Sequence, residues 1–209
     1  MIAVDTDDVT EESVEASEDG RHVRRERNRD AVVDALLALY HEGNLAPNSD
    51  EIAARAGLSP RSLFRYFDDI DDLTRAALQR QYNILRPLFR IEAPPQAPLV
   101  ERISALVAQR TRLFEAIGPA GYVSRNRASF QSVIQVHLAT SRRNLRLQVQ
   151  HLLESELASL PKAAATTRLA AIDVLCSFES YQLMRHDQGL SIDQTTDALT
   201  ELLRSSAHS

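Results

Sequence analysis

Arg61, Ser62 and Arg65 fall within the run GLSPRSLFRYF, residues 57–67. A helix through that run places both guanidinium groups on one face, one turn apart, with a hydroxyl beside them. A guanidinium is a planar, permanently charged fork of N–H donors, suited to phosphate oxygens and to the N7 and O6 edge of guanine. A second set of cations lies upstream, where RHVRRERNR carries Arg21, Arg24, Arg25, Arg27 and Arg29 against a lone acid, Glu26. Immediately after the first set the charge reverses, with Asp68, Asp69, Asp71 and Asp72 in close succession. Carboxylates next to an anion-binding surface weaken it unless they have a local task.

Other chemistries lack their residues. The sequence contains no HExxH, no GxSxG and no glycine-rich phosphate loop among its 6 glycines. His137 and His151 share roughly one helix face but stand about 21 Å apart at the rise of an α-helix, too far to hold one metal ion. His151 and Glu154, one turn apart, read as a surface pair. Cys176 is the single cysteine, so no internal disulfide forms, and in its apolar helical setting it reads as a small core residue. No catalytic activity, metal site or cofactor is therefore expected.

The charge is unevenly spread. The 209 residues carry 24 Lys and Arg against 29 Asp and Glu, a net charge of -5. Eight of those acids (Asp5, Asp7, Asp8, Glu11, Glu12, Glu15, Glu18 and Asp19) lie in residues 1–20, which hold no Lys or Arg, so residues 21–209 sum to 24 - 21 = +3. Residues 1–20 lack apolar periodicity, and an acidic disordered tail is predicted there, followed by a basic arm over 21–28. The acidic start lacks the basic-then-apolar order of a secretory signal, and no stretch reaches the length of a bilayer span. A cytoplasmic protein with no membrane partner is expected.

The elements that must position the arginines are helices. Ala31, Ala35, Leu36, Leu39 and Tyr40 recur at helical spacing and define a first helix from Asn28 that Gly43 to Pro47 ends. Asn48 or Ser49 caps a second helix up to Gly57. Ser59-Pro60 opens a third that is predicted to continue through Phe67. Ile52, Ala53 and Ala56 of the second face Leu63, Tyr66 and Phe67 of the third, with Leu58 in the turn. A left-handed Gly57 turns one helix into the next, which is helix-turn-helix geometry. Asp69 is placed to cap a fourth helix, and Asp71 and Asp72 to meet its positive end, so the aspartates serve that helix.

Further helices are predicted from Asp69 to about Phe89, Leu99 to Ile117, Ser124 to Leu160, Ala163 to His186 and Ile192 to Leu203, with a Pro-rich loop at 91–98 and a GPAG turn at 118–121. Strand signals are nearly absent. The fold class is all-α, with about nine helices: a helix-turn-helix domain over 29–72 and a larger helical domain over 73–209.

Residues 29–73 resemble the DNA-binding domain of the TetR family of transcriptional regulators. The resemblance rests on Ile52, Ala53, Ala56-Gly57-Leu58-Ser59, Leu63-Phe64, Tyr66-Phe67 and Leu73. It implies a cytoplasmic homodimer that binds double-stranded DNA, sets its third helix in the major groove and is released from a palindromic operator by a small-molecule effector. Carried onto this sequence, the DNA-binding set is Arg21, Arg24, Arg25, Arg27, Ser49, Arg61, Ser62, Phe64, Arg65 and Tyr66. Two departures stand out. Where similar proteins commonly read Pro-Ser-Lys-Glu after the third helix, this chain has Asp68, Asp69, Ile70 and Asp71, so isoleucine stands in place of a phosphate-binding lysine. Phe64 stands where a tyrosine hydroxyl often meets phosphate. They motivate the alternative of a helical ligand-binding or adaptor protein whose helix-turn-helix no longer binds DNA.

In a bundle similar to the family's, Phe89, Leu106, Phe114, Phe130, Ile134 and Phe178 would border a ligand pocket, with His137 and Glu179 as its polar members. The apolar stripes Leu169, Ile172, Cys176 and Leu183, and Leu199 and Leu202, serve either as intramolecular core or, as the resemblance implies, as a four-helix dimer interface.

Overall fold

The computed structural model describes the backbone of residues 8–94 and 96–208 and the side chains of 20–94 and 96–207. The tail expectation for residues 1–7 lies outside them. All regular structure among the described residues is helical, and the chain divides into two compact units, up to Arg80 and from Gln81.

In the first unit α1 runs from Asp8–His41, twenty residues upstream of the apolar periodicity. The disordered tail and separate arm predicted from the charge pattern are, from Asp8 onward, helical. The segment contains no proline and is rich in Glu and Arg, both strong helix formers, and Gly20 costs only about 1 kcal/mol within a helix. Val32, Val33, Leu36, Leu39 and Tyr40 form the buried face of α1.

Helix α2 (Ser49–Arg55) starts at Asn48, whose side chain accepts from the amides of Asp50 and Glu51 while Glu51 reaches back to the Asn48 amide. This reciprocal box satisfies donors that would otherwise be orphaned. Gly57 at φ 70° turns the chain, and the Leu58 amide donates back to the Ala53 carbonyl at 2.9 Å. Ile52, Ala53, Leu63 and Phe67 are buried.

Helix α3 (Pro60–Leu63) is shorter than the predicted span to Phe67. Arg65 and Tyr66 donate to carbonyls three residues back, at Ser62 and Leu63, so the helix tightens into a turn after its first cycle. Helix α4 (Ile70–Leu85) is capped by Asp69, whose Oδ1 accepts from the Asp72 amide at 2.7 Å. Arg80 forks onto Asp34 at 3.1 and 2.9 Å and reaches Asp30 at 3.4 Å, which carries the first unit eight residues beyond the boundary placed at 72.

The second unit contains α5 (Leu99–Arg127), α6 (Ser132–Leu152), α7 (Glu154–Ala158), α8 (Lys162–Leu175), α9 (Phe178–Gln182) and α10 (Ile192–His208). A 3₁₀ turn at Arg86–Phe89 and a π turn at Leu183–Asp187 complete it. The predicted GPAG turn is a kink inside α5: Gly118 adopts φ 50°, ψ -143°, and the helix resumes at Pro119. That backbone region is open to glycine and strained for other residues. The predicted helix over 124–160 is three pieces, parting at 128–131 and at Leu153. The one over 163–186 parts at Ser177, whose hydroxyl caps α9 by accepting from the Ser180 amide at 3.1 Å.

Leu106, Val107, Leu113, Phe114, Val149, Leu169, Ile172, Cys176, Phe178, Leu199 and Leu203 share one core. Arg102 clamps its edge: buried, it donates to the Ala97 carbonyl at 2.9 Å, to the Leu152 carbonyl and to both carboxylate oxygens of Glu156.

Candidate nucleic-acid interface

Because α1 is helical through the basic run, Arg21, Arg24, Arg25 and Asn28 stand at i, i+3, i+4 and i+7 and share one face. That face and the end of the α3 turn enclose a groove of about 530 Å³ lined by Arg21, Arg24, Arg25, Asn28, Arg65 and Tyr66. Asn28 Nδ2 donates to Tyr66 Oη at 2.8 Å and ties the two sides together. One residue later, the Arg29 guanidinium lies over the Phe67 ring, 4.8 Å from its centroid, and joins α1 to the buried end of the turn.

The electrostatics separate two groups of arginines within this unit. Arg55 pairs with Glu42 at 2.6 Å, Arg75 with Asp72 at 3.2 Å and Arg80 with Asp34 at 2.9 Å. Glu42 is held below its ordinary pKa by the Arg55 hydrogen bond. By contrast Arg24, Arg25, Arg27, Arg61 and Arg65 are exposed and make no ion pair within the described structure. Unpaired cations converging on a groove attract a polyanion and, desolvated against it, outcompete the paired ones.

The remaining predicted contacts are placed as follows. Arg61 and Phe64 are exposed on the outer side of α3, Phe64 by 50 %. Ser62 is half-buried, with its hydroxyl 2.8 Å from that of Ser59, and Ser49 lies at the start of α2. Arg27 is exposed, but lies about a third of a turn away from the Arg21, Arg24, Arg25 and Asn28 face and outside the groove lining. Asn28 and Arg29 are absent from the predicted set. The i, i+3, i+4, i+7 spacing identifies Asn28 once the helix is continued upstream.

Two of the aspartates, Asp69 and Asp72, serve the start of α4. Asp69 caps α4, Asp72 Oδ2 accepts from the Asp68 amide at 3.4 Å, and Asp72 also pairs with Arg75.

Residues 33–77 match the family model described as bacterial regulatory proteins, tetR family. Over that stretch the chain is similar to the DNA-binding domain of the TetR family. Among solved structures, a tetR-family transcriptional regulator from Streptomyces coelicolor shares 22% identity at a TM-score of 0.67, over 87% of this chain and 79% of that one. A TetR transcription regulator from Haloarcula marismortui shares 15% identity at a TM-score of 0.54, over 87% of this chain and 96% of that one. At these identities the likeness establishes the fold. No match is found among curated proteins.

In the second unit the predicted pocket residues divide. Leu106, Phe114 and Phe178 lie together in the core, where Phe178 meets Phe114 edge-on with centroids 5.5 Å apart, and Phe89 packs against that core. Ile134 is buried and His137 half-buried, its pKa lowered by burial. Two residues are corrections. Phe130 is 92 % exposed, because it sits in the break between α5 and α6 that replaces the continuous predicted helix. Glu179 is exposed and ion-paired to Arg125 at 2.8 Å and to Arg142, instead of lying in an apolar setting. Despite some desolvation, the two arginines hold its carboxyl at about 2.

The predicted dimer stripes are also corrected. Leu169, Ile172, Cys176 and Leu199 are buried in the core of their own chain, because that face of α8 and α10 packs on α6 and α5. Burial pushes the Cys176 thiol up to about 12. Leu183 and Leu202 remain exposed. Among the described residues no helix is long and apolar enough to cross a membrane, and no group of three acidic, His or Cys side chains is arranged to hold a metal.

Proposed function

We propose that this chain is a ligand-responsive repressor of the TetR family that binds a palindromic operator in double-stranded DNA as a homodimer and leaves it when a small-molecule effector binds the C-terminal unit. The observation that carries the DNA reading is the groove in which Arg24, Arg25 and Arg65, none of them ion-paired among the described residues, converge across the Asn28–Tyr66 hydrogen bond. Arg61 and Arg65 are the candidates for base edges, and Arg21, Arg24 and Arg25 for phosphate or minor-groove contact. Ser49, Ser62, Phe64 and Tyr66 complete the docking face. The basic face of α1 supplies the phosphate contacts that the side chains of Phe64 and Ile70, having no polar atom, are unable to make.

The dimer is assigned to the face of α8 opposite its buried stripe. Ala163, Thr167, Ala171 and Val174 recur along that face and are exposed. A groove of about 640 Å³ runs beside them, lined by Ala163, Ala164, Thr167, Arg168, Ala171, Ser205 and Ser206. Small side chains let helices of a second copy approach closely, in a four-helix arrangement. Ala171→Glu is expected to give a folded monomer by light scattering; a dimer that survives it places the interface elsewhere.

The test of the regulator reading is a fluorescence-anisotropy titration against DNA from upstream of the protein's own gene. Specific binding that Arg61→Ala and Arg65→Ala each weaken supports it. Equal weak binding to all sequences, unchanged by either variant, leaves the ligand-binding adaptor reading suggested by Phe64 and Ile70.

A further inference from the structure

Five arginines of the second unit meet carboxylates, and the most deeply buried arginine does not. Arg102 pairs with Glu156, Arg125 and Arg142 with Glu179, Arg146 with Asp173 and Arg185 with Glu115. Arg110, at 1 % exposure, is more deeply buried than Arg102 and makes no ion pair among the described residues. Its acceptors are neutral: the Gln109 side-chain oxygen, Gln148 Oε1 at 2.9 Å and the Leu145 carbonyl at 2.9 Å. Its Nε has no hydrogen-bond partner. Both amides are themselves fixed, Gln109 Nε2 donating to the Leu88 carbonyl and Gln148 Nε2 to that of Phe89, each at 2.7 Å. Burial lowers the affinity of this guanidinium for its proton, and the nearby Cys176 and Asp173 offset that only in part. A buried cation whose hydrogen-bond acceptors are all neutral favours an anion that reaches it.

A route to it exists through Gln148. This half-buried side chain also forms part of the wall of a surface cavity of about 230 Å³, shared with Ile91, His151 and Leu152. The cavity therefore lies one hydrogen bond from the guanidinium. Its remaining lining is mostly apolar, and its volume is below the roughly 300–1,000 Å³ typical of drug-sized sites, which limits an occupant to one ring or a short chain. Glutamine has the shape of glutamate without the charge, so Gln148 occupies a carboxylate's position on Arg110 without neutralising it.

We propose that the C-terminal unit binds a small organic carboxylate with an apolar body seated against Ile91 and Leu152, its carboxylate displacing Gln148 Oε1 from Arg110. The site deepens the effector reading by giving the ligand a chemical class, and it rests on that reading only for its consequence at DNA.

The test uses the full chain without DNA, with benzoate and hexanoate as probes and benzamide and hexanamide as neutral isosteres, read by calorimetry and thermal shift. The acids are expected to bind at least tenfold more tightly than the amides. Gln148→Glu supplies an internal carboxylate: it is expected to raise the melting temperature without ligand and to abolish acid binding. Gln148→Ala removes the competitor and is expected to tighten acid binding several-fold, which keeps the idea testable if the glutamate variant fails to fold. Acids binding no better than amides, acid binding that persists in Gln148→Glu, or no binding of either acid by the native chain each overturn the proposal. Because no DNA is present, a chain that binds benzoate but no operator keeps this site and loses the regulator, and the converse result does the opposite.

Discussion

Arg65 and Arg125 are arginines on helical scaffolds of the same chain, and their surroundings differ in kind. Arg65 is exposed, faces a groove shared with three other arginines and makes no ion pair among the described residues. Arg125 is held by Glu179 at 2.8 Å and lies 3.9 Å from the Phe178 ring centroid. The same division runs through each unit. In the second, Arg102, Arg125, Arg142, Arg146 and Arg185 meet carboxylates on neighbouring elements. In the first, Arg55, Arg75 and Arg80, none of which lines the groove, are cancelled, and Arg24, Arg25 and Arg65, which do, make no ion pair among the described residues. An ion pair that fixes two helices is internal architecture, whereas a cation left without a partner is available to something outside the chain. Position relative to the carboxylates, more than the number of arginines, therefore separates binding from structural roles here.

The largest test of that division is removal of a cancelled cation. Arg102→Met removes the cation paired with Glu156 and the side-chain donor to the Ala97 and Leu152 carbonyls. Truncating one partner of a buried pair costs about 3–5 kcal/mol, and urea unfolding of the variant should lose stability in that range. Arg65→Ala in the same assay should change stability by less than about 0.5 kcal/mol, as exposed substitutions usually do. A large loss at Arg65 and none at Arg102 would invert the comparison.

Next in size are Arg61→Ala and Arg65→Ala on operator affinity. Loss of one forked base contact is worth about 1–3 kcal/mol, so each should weaken specific binding roughly tenfold or more and relax preference at the base it reads. Arg55→Ala, which loses only its surface pair with Glu42, should leave affinity close to native.

A smaller effect appears in acid. The Glu179 carboxyl is held at about 2 by Arg125 and Arg142, below its unperturbed 4.5, so the native state favours its ionised form. That contribution is fully present above pH 4.5 and fades as pH falls toward 2. Because the group is half exposed, salt screens it. A stability profile between about pH 5 and 2 should therefore fall less steeply for Glu179→Gln than for the native chain.

How far the sequence carries this division is best seen at particular residues. Ala53, Gly57 and the Ser59-Pro60 pair announce the helix-turn-helix because each is a local backbone requirement: close approach, a left-handed turn and a capped start. Asp69 is legible for the same reason. The helix breaks at Phe130 and Ser177 are not, since apolar periodicity continues through both and only tertiary packing decides where the chain turns. Leu169, Ile172 and Cys176 are legible as a stripe but not as to which partner buries them, because one apolar face fits a neighbouring helix or a second copy equally well. Asn28 escapes for a different reason. Counting α1 only from its apolar residues hides the fact that helix propensity alone carries it through the basic run.

That boundary supplies the finest prediction. If the upstream arginines formed a flexible arm, Arg24, Arg25 and Arg27 would be interchangeable, and each alanine variant would reduce the salt dependence of DNA binding alike. On a helix they are not equivalent. Arg24 and Arg25 line the groove with Asn28, and Arg27 projects elsewhere. Each phosphate contact contributes about -0.9 to the slope of log affinity against log salt. Arg24→Ala and Arg25→Ala should thus each flatten the slope by about 0.9, and Arg27→Ala should leave it unchanged. Equal flattening by all three would mean that α1 does not persist as a helix upstream of Asn28 when DNA is bound, and the unpaired cations would then have to be read as an arm without a face.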